Sequence, residues 1–318
     1  MPDLLGLLGY ASGFLTLALI SGVACLGLNL QWGQTGLFNV GVAAFIAIGA
    51  YSSALLTTAP TDGRLGGYGL PIAVGWLAAM LAAGLASALV AVATLRLRKD
   101  YLAITSFGVA VAVLTVIRNA DRLTGGSFGI SFIPRPFAAL ADRPLAFGLT
   151  NLALVAMIVL LVYSALERLV RGPWGRVLRA LREDERAAAA LGKNATRYRL
   201  QAFTLGGALM GLAGALEAHL IGFIAPDNFE AVLTFQIWAM LIVGGSGNNL
   251  GALLGALVVS AIWSISGLAT GALFPPGEQA RAAALRLVVI GVLLAASLVL
   301  RPRGLLGEQT RISRHLAP

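Results

Sequence analysis

Apolar residues in this chain come in long unbroken runs, not in the alternating stripes of a half-buried strand. The runs are Leu4 to Leu28, Leu37 to Leu56, Pro71 to Leu95, Tyr101 to Ile117, Thr150 to Leu169, Leu200 to Phe223, Phe229 to Val243, Leu250 to Leu268 and Leu285 to Leu300. Crossing the hydrocarbon core of a bilayer takes about 20 apolar residues in a helix, fewer where the chain re-enters. The pattern therefore predicts an all-α, polytopic transmembrane bundle of about 8–9 spans, with the seventh run short. It forms one domain over residues 1–318.

One polar island interrupts the runs. Nine of the chain's 23 Lys and Arg residues fall between Arg168 and Arg199. Gly172-Pro173 ends the preceding helix, and Arg176 to Leu191 then reads as one short helix stopped at Gly192. At helical spacing Val177, Leu181, Asp184, Ala188 and Leu191 share one face, and Arg179, Arg182 and Arg186 share the opposite one. This places a carboxylate inside the apolar stripe. Asn194-Ala195-Thr196 supplies a cap for the next helix. An amphipathic basic helix lies readily on anionic lipid. The favoured reading is a docking helix for a soluble partner, which would make use of an aspartate that lipid would not.

Charge sets an orientation. If the island (segment 171–199) is cytoplasmic and the first five runs cross, the N-terminus lies outside and Arg96, Arg98 and Lys99 lie inside. Four runs separate the island from the basic tail (301–318), so Arg301, Arg303, Arg311 and Arg314 return to the same side. Sixteen basic residues are then inside and seven outside (64, 118, 122, 135, 143, 281 and 286), as the positive-inside rule asks.

Composition agrees with a membrane protein: 58% hydrophobic residues, 12% charged and a mean hydropathy of +0.84. A soluble domain carries about twice that charge. The net charge of +9 sits at the ends of apolar runs, not in an aromatic-interleaved patch, which argues against nucleic acid. Cys25, the single cysteine, reads as a small core residue. The start MPDLLGLLGY has no basic region before its apolar run, so a cleaved signal peptide is not expected.

Uncharged polar residues occur at membrane depth in Asn29-Leu30-Gln31-Trp32-Gly33-Gln34-Thr35-Gly36 and in Asn39-Val40-Gly41. Such groups line a pathway or pack against another helix. The cluster Arg118 to Ser127, with Thr124, Gly125 and Gly126, offers free backbone amides, or else is a solvated turn in which Asp121 pairs with Arg118 or Arg122. Gly207-x-x-x-Gly211 and Gly251-x-x-x-Gly255 read as helix contacts.

Several chemistries are missing. Gly192-Lys193 has Ala187 and Asn194 where a phosphate-binding loop needs Gly and Ser/Thr, so no nucleotide site is expected. His219 and His315 form no metal cluster, and no cofactor is implied. Glu217 with His219 is the main ionisable pair inside an apolar run, too little for a proton-coupled secondary transporter. Gly244-Gly245-Ser246-Gly247 matches the Gly-x-Ser-Gly of rhomboid intramembrane proteases, but such a serine needs a neighbouring histidine, and the only histidine downstream of it is His315.

The blocks LGLNLQWGQTGLFNVGVAAFIAIGAY, RLRKDYLAITSFG, LTGGSFGI, GRVLRALREDERAAAALGKNATRYRLQAF, GLAGALEAHLIGFIAPDNF, IVGGSGNNLGALLGA and RPRGLLG resemble, in order and over most of the chain, the LivM-type permease subunit of branched-chain amino acid ABC importers. RLRKDYLA and LTGGSFGI favour the LivM over the LivH type. The resemblance implies a non-enzymatic, multi-pass subunit in the bacterial inner membrane. Its expected partners are a LivH-like permease, two cytoplasmic ATPase chains and a periplasmic binding protein. Residues 185–192 resemble the importer coupling motif Glu-Ala-Ala-x-x-x-Gly, with Arg186 where the glutamate would stand and Glu185 one place early. The implied ATPase-docking residues are Arg179, Arg182, Asp184, Glu185, Ala187, Ala188 and Gly192. Asn29, Gln34, Asn39, Gly41, Thr124, Gly125 and Gly126 are candidates for pathway or packing.

Overall fold

The structure is a computed structural model that describes residues 4–61, 65–94, 99–273, 278–300 and 303–308. Arg64, Arg96, Arg98, Arg301, Arg311, Arg314 and His315 lie outside the described residues. The chain forms α1 (Leu4–Leu28), α2 (Val42–Thr57), α3 (Ile72–Thr94), α4 (Lys99–Asn119), α5 (Asp121–Thr124), α6 (Pro144–Arg171), α7 (Pro173–Glu183), α8 (Glu185–Ala190), α9 (Ala195–Ile221), α10 (Ala231–Gly244), α11 (Asn249–Leu273) and α12 (Gln279–Leu300). Among the described residues six helices are long and apolar enough to cross a membrane, and α2 and α10 are shorter apolar helices. Among the described residues the one strand pairing is a two-residue antiparallel pair, β1 (Ile130–Ser131) with β2 (Phe223–Ile224).

Helix α9 is the axis of the bundle, because its glycines let three neighbours approach closely. A methyl group added at Gly206 would lie 2.6 Å from the Gly27 carbonyl oxygen on α1, one at Gly207 2.3 Å from Ser87 Cβ on α3, and one at Gly214 2.0 Å from the Ile46 carbonyl oxygen on α2. Small residues thus replace large ones as the packing device. The glycines at 251 and 255 work likewise against Gly244 and Met240 of α10. Large side chains point outward: Leu77, Leu81, Leu85 and Leu89 form an exposed stripe along α3, a surface suited to lipid or to another apolar chain.

The second apolar run does not start as a helix. After α1 comes a π-helical turn, Asn29–Gly33, and residues 34–41 then run without regular structure to Val42. Backbone of this kind survives inside a bundle only when its polar groups are met. Here Leu37 N–H donates to Gln31 O (2.8 Å), Val40 N–H to Ser106 Oγ (2.9 Å), Gly41 N–H to Asn39 Oδ1 (2.7 Å) and Ala43 N–H to Thr234 Oγ1 (3.0 Å).

The island differs from the expected single helix Arg176–Leu191. Helix α7 already starts at Pro173, as a proline at the first helical position allows, and the helix breaks at Asp184. The Asp184 carboxylate accepts the N–H groups of Arg186 (2.9 Å) and Ala187 (3.0 Å) and caps α8. It is exposed and belongs to no apolar stripe. The break resets the helical phase. Leu178 and Leu181 are buried, Val177 is half-buried, and Leu191 is 79% exposed. Gly192, at φ +75°, closes α8, as glycine does at helix C-termini.

Candidate functional site

The island end of the bundle gathers the polar residues of five segments into one buried network. Asn29, Gln31, Gln34 and Asn39 are all 0% exposed. Gln31 donates to the Phe203 carbonyl (2.8 Å) and accepts from Asn39 Nδ2 (2.7 Å). Asn29 Oδ1 accepts Gly247 N–H (2.8 Å), and its Nδ2 donates to Asn249 Oδ1 (2.9 Å). Asn249 in turn donates to Glu167 Oε2 (2.8 Å), whose other oxygen takes Arg171 Nε (2.7 Å). Gln34 Nε2 donates to the Gly247 carbonyl (2.8 Å). The ends of α1, α6, α9 and α11 are tied together, and each lost bond would leave a buried partner unsatisfied at about 1–3 kcal/mol.

Helix α7 is clamped onto this network by two arginines. Arg179 Nη1 donates to Gln34 Oε1 (3.2 Å) and to the Val170 carbonyl (3.2 Å). Arg182 donates to the Gly33 carbonyl and pairs with Glu308 at 2.7 Å. The stretch 303–308 packs at the same end, where Leu305 N–H donates to Val243 O and Leu306 N–H to Gly244 O, both at 2.9 Å. The expectation that Arg179 and Arg182 face away from the core is thus corrected: they point into it. A long guanidinium can bury its stem and still find carbonyl and carboxylate acceptors.

Helix α8 is the counterpart. Ala187 is exposed, Ala188 is buried, and Glu185 pairs with Arg199 at the start of α9 (2.9 Å). A face containing Glu183, Asp184, Arg186, Ala187 and Leu191 is left open. The chain presents a short, capped, mostly charged surface mounted on a clamped helix.

The family described as branched-chain amino acid transport system / permease component matches residues 10–298. This chain belongs to that permease family. The high-affinity branched-chain amino acid transport system permease proteins LivM of Salmonella typhimurium and Escherichia coli are each 36% identical to it over 77% of the chain. The chain spans 60% of the length of those two relatives. A probable branched-chain amino acid transport permease protein LivM of Methanocaldococcus jannaschii is 28% identical over 92% of the chain and 91% of its own length. No solved structure matches.

Within this family member the remaining sequence-derived residues lie at the far end. Thr124 is buried and its hydroxyl donates to Ile117 O (2.6 Å), while Gly125 and Gly126 adopt left-handed conformations. The expected pairing of Asp121 with Arg118 or Arg122 is not formed. Arg118 reaches instead to Asp227 and Glu230 (both 2.9 Å), because the segment after α9 folds back over the end of α4. His219 is fully buried, with Nδ1 bonded to the Pro134 carbonyl (2.7 Å) and Nε2 to Ser53 Oγ (2.8 Å). Ser246, beside Gly247 at the island end, is at the opposite end from His219, so these two form no catalytic pair; His315, the histidine downstream of Ser246, lies outside the described residues.

Sequence reasoning singled out the stretch that holds Gln31 and Gly33 but missed Glu167, Asn249 and Glu308. The available signal was an amide or carboxylate within a turn of the end of an apolar run, where only a buried partner justifies a polar group.

Proposed function

We propose that this chain is a permease subunit of an ABC importer for branched-chain amino acids or a chemically similar amino acid or amide. It would be energised by separate ATPase chains that grip the α7–α8 segment, and would work beside a LivH-like permease and a periplasmic binding protein. The observation that carries this reading is the division of the island into a clamped helix and an open one. Arg179 and Arg182 fix α7 to α1 and to the 303–308 stretch, while α8 keeps a free face. A push on α8 is then transmitted into α1, α6, α9 and α11, which is what alternating access powered from one side requires. The substrate class comes from the names of the relatives.

In this reading α1, α2 with its irregular lead-in, α3, α4, α6, α9, α10, α11 and α12 make nine crossings of a single transmembrane domain in the inner membrane. The island and the tail then share the cytoplasmic side. The lipid-surface alternative loses its contrast at Asp184, which is a cap and not a buried carboxylate. The separation now comes from α8 itself. Ala187→Arg should abolish co-purification of the ATPase pair while leaving membrane levels of the chain unchanged; a helix merely resting on anionic lipid would bind as well or better. In a Cys25→Ala background, Arg186→Cys should be shielded from an impermeant thiol reagent in intact cells and Tyr68→Cys should react. Labelling of Arg186→Cys from outside would sink the orientation.

A further inference from the structure

We propose that residues 303–308 form a coupling strap, in which Glu308 is the positioning residue that carries a displacement of α7 directly to the turn between α10 and α11. This rests on the importer reading above and adds to it a second route for the stroke, beside the one through α1.

The strap and the turn are built to move as one body. Leu305 and Leu306 N–H donate to the carbonyls of Val243 and Gly244 (both 2.9 Å), at the C-terminal end of α10, where the last carbonyls find no partner within the helix. Glycines bring the two backbones together. A methyl group added at Gly304, where φ is +70°, would lie 2.5 Å from Gly245 Cα, and one at Gly245 would lie 2.5 Å from the Leu306 carbonyl oxygen. One added at Gly251, in the first turn of α11, would meet the same oxygen at 2.9 Å. A strap pressed this closely onto α10 and α11 has no slack in which to lose a displacement.

Its link to α7 is of another kind. Among the described residues the strap is joined to that helix by one hydrogen-bonded ion pair, Arg182 Nη2 to Glu308 Oε2 at 2.7 Å. The other terminal nitrogen of Arg182, Nη1, holds the Gly33 carbonyl. The planar guanidinium fork thus grips the end of α1 with one tine and the strap with the other. Asn29 and Gln34 reach Gly247 from the α1 side. Glu308 approaches the same glycine from the strap, where an added methyl group would lie 3.0 Å from its Oε2. A displacement of α7 therefore draws α1 and the α10–α11 turn together, and Glu308 keeps the two in step. The ion pair itself adds little to stability, because it is part-exposed (23% and 31%) and Glu183 stands 3.9 Å from the same nitrogen as a substitute partner. A bond that matters little to folding, placed at the one polar junction between strap and α7, fits transmission better than bracing.

The test separates the two routes, using membranes that carry the assembled transporter. In a Cys25→Ala background, Ser246→Cys reports on the turn and Trp32→Cys on the end of α1; both positions are half-buried. Each is reacted with N-ethylmaleimide, first without nucleotide and then after the ATPases are trapped with ATP and vanadate. With Glu308 in place both labelling rates should change on trapping. Glu308→Ala should reduce the change at Ser246→Cys at least twofold, leave that at Trp32→Cys intact, and lower transport per ATP hydrolysed at least threefold. Glu308→Gln, which keeps the size and an acceptor but not the charge, should fall between; if the alanine variant does not fold, the glutamine variant decides by the same two reporters. Three results would overturn the proposal. Loss of response at both reporters makes the strap a brace for the whole end. A full response at Ser246→Cys without Glu308 makes it a cover for α10, and no response there with Glu308 in place means that the turn does not move. ATPase co-purification is measured on the same membranes. If it persists while any of these is seen, only the strap falls; if the unsubstituted chain recruits no ATPase, the importer reading falls with it.

Discussion

The two ends of this bundle handle polar groups in opposite ways. At the island end four amide side chains are fully buried and paired, and two arginines lock α7 to Gln34 and to the Gly33 carbonyl beside them. At the far end the charged groups are exposed, one guanidinium is shared by two carboxylates, and the polypeptide is pinned by His219 and a two-residue strand pair. A network buried in low dielectric is stiff, since breaking any one bond strands its partner. Exposed pairs rearrange at little cost. On the importer reading, force would enter where the structure is rigid, and the end that opens and closes would be the loosely held one.

The strongest way to break this comparison is to wedge the rigid end apart. A side chain at Gly33 would place its Cβ 2.1 Å from Asn29 Oδ1 and 2.5 Å from Gly247 N. Gly33→Val should therefore give no monodisperse, cooperatively melting protein in detergent. A well-folded Gly33→Val chain would show the network to be slack. Next in size is the clamp. Arg182→Ala removes the bonds to Gly33 and Glu308, and should lower stability by about 2–3 kcal/mol. ATP hydrolysis should then become less coupled to transport although the ATPases remain bound. Arg186→Ala, on the open helix, should change stability by no more than about 0.5 kcal/mol. Equal melting temperatures for the two variants would erase the distinction between α7 and α8.

A smaller effect is expected at the junction of those helices. Asp184→Ala should cost about 1 kcal/mol through loss of the α8 cap, and Asp184→Ser, which can still cap, should recover most of it. If ATPase assembly fails for both, the carboxylate contacts a partner directly and capping is not its main role. The smallest effect lies at the far end, where Phe132 has φ +58° and is 95% exposed. Phe132→Gly should raise stability by at most about 1 kcal/mol, because glycine removes the left-handed strain and no packing is lost. A stabilised chain that nonetheless transports poorly would identify Phe132 as a contact for another protein.

Much of the fold was legible along the chain because burial in a membrane is written in composition. Continuous apolar runs located the long helices, Gly-x-x-x-Gly pairs located contacts, and the parity of four runs between island and tail agrees with 303–308 packing against Arg182. The errors have one physical origin. Periodicity assumes an unbroken helix, so it carried the face of α7 through Asp184, where the carboxylate caps a new helix and the phase starts afresh. It likewise began the second helix at Leu37, because an apolar run gives no sign that its first residues are kept out of the helix, with Val40 N–H bonded to Ser106 from elsewhere in the chain.

By itself, then, the sequence determined that this is a multi-pass helical protein with one basic island, because the length of an apolar run and the position of arginines depend only on neighbours in the chain. It also carried the family, through blocks of local sequence. The partners of Asn29, Gln31, Gln34 and Asn39, the inward turn of Arg179 and Arg182, and the meeting of Arg118 with Asp227 and Glu230 were decided only in three dimensions. Most of them join residues separated by many positions, and a side chain's choice among acceptors depends on which of them the packing of α9 and its neighbours brings within about 3 Å.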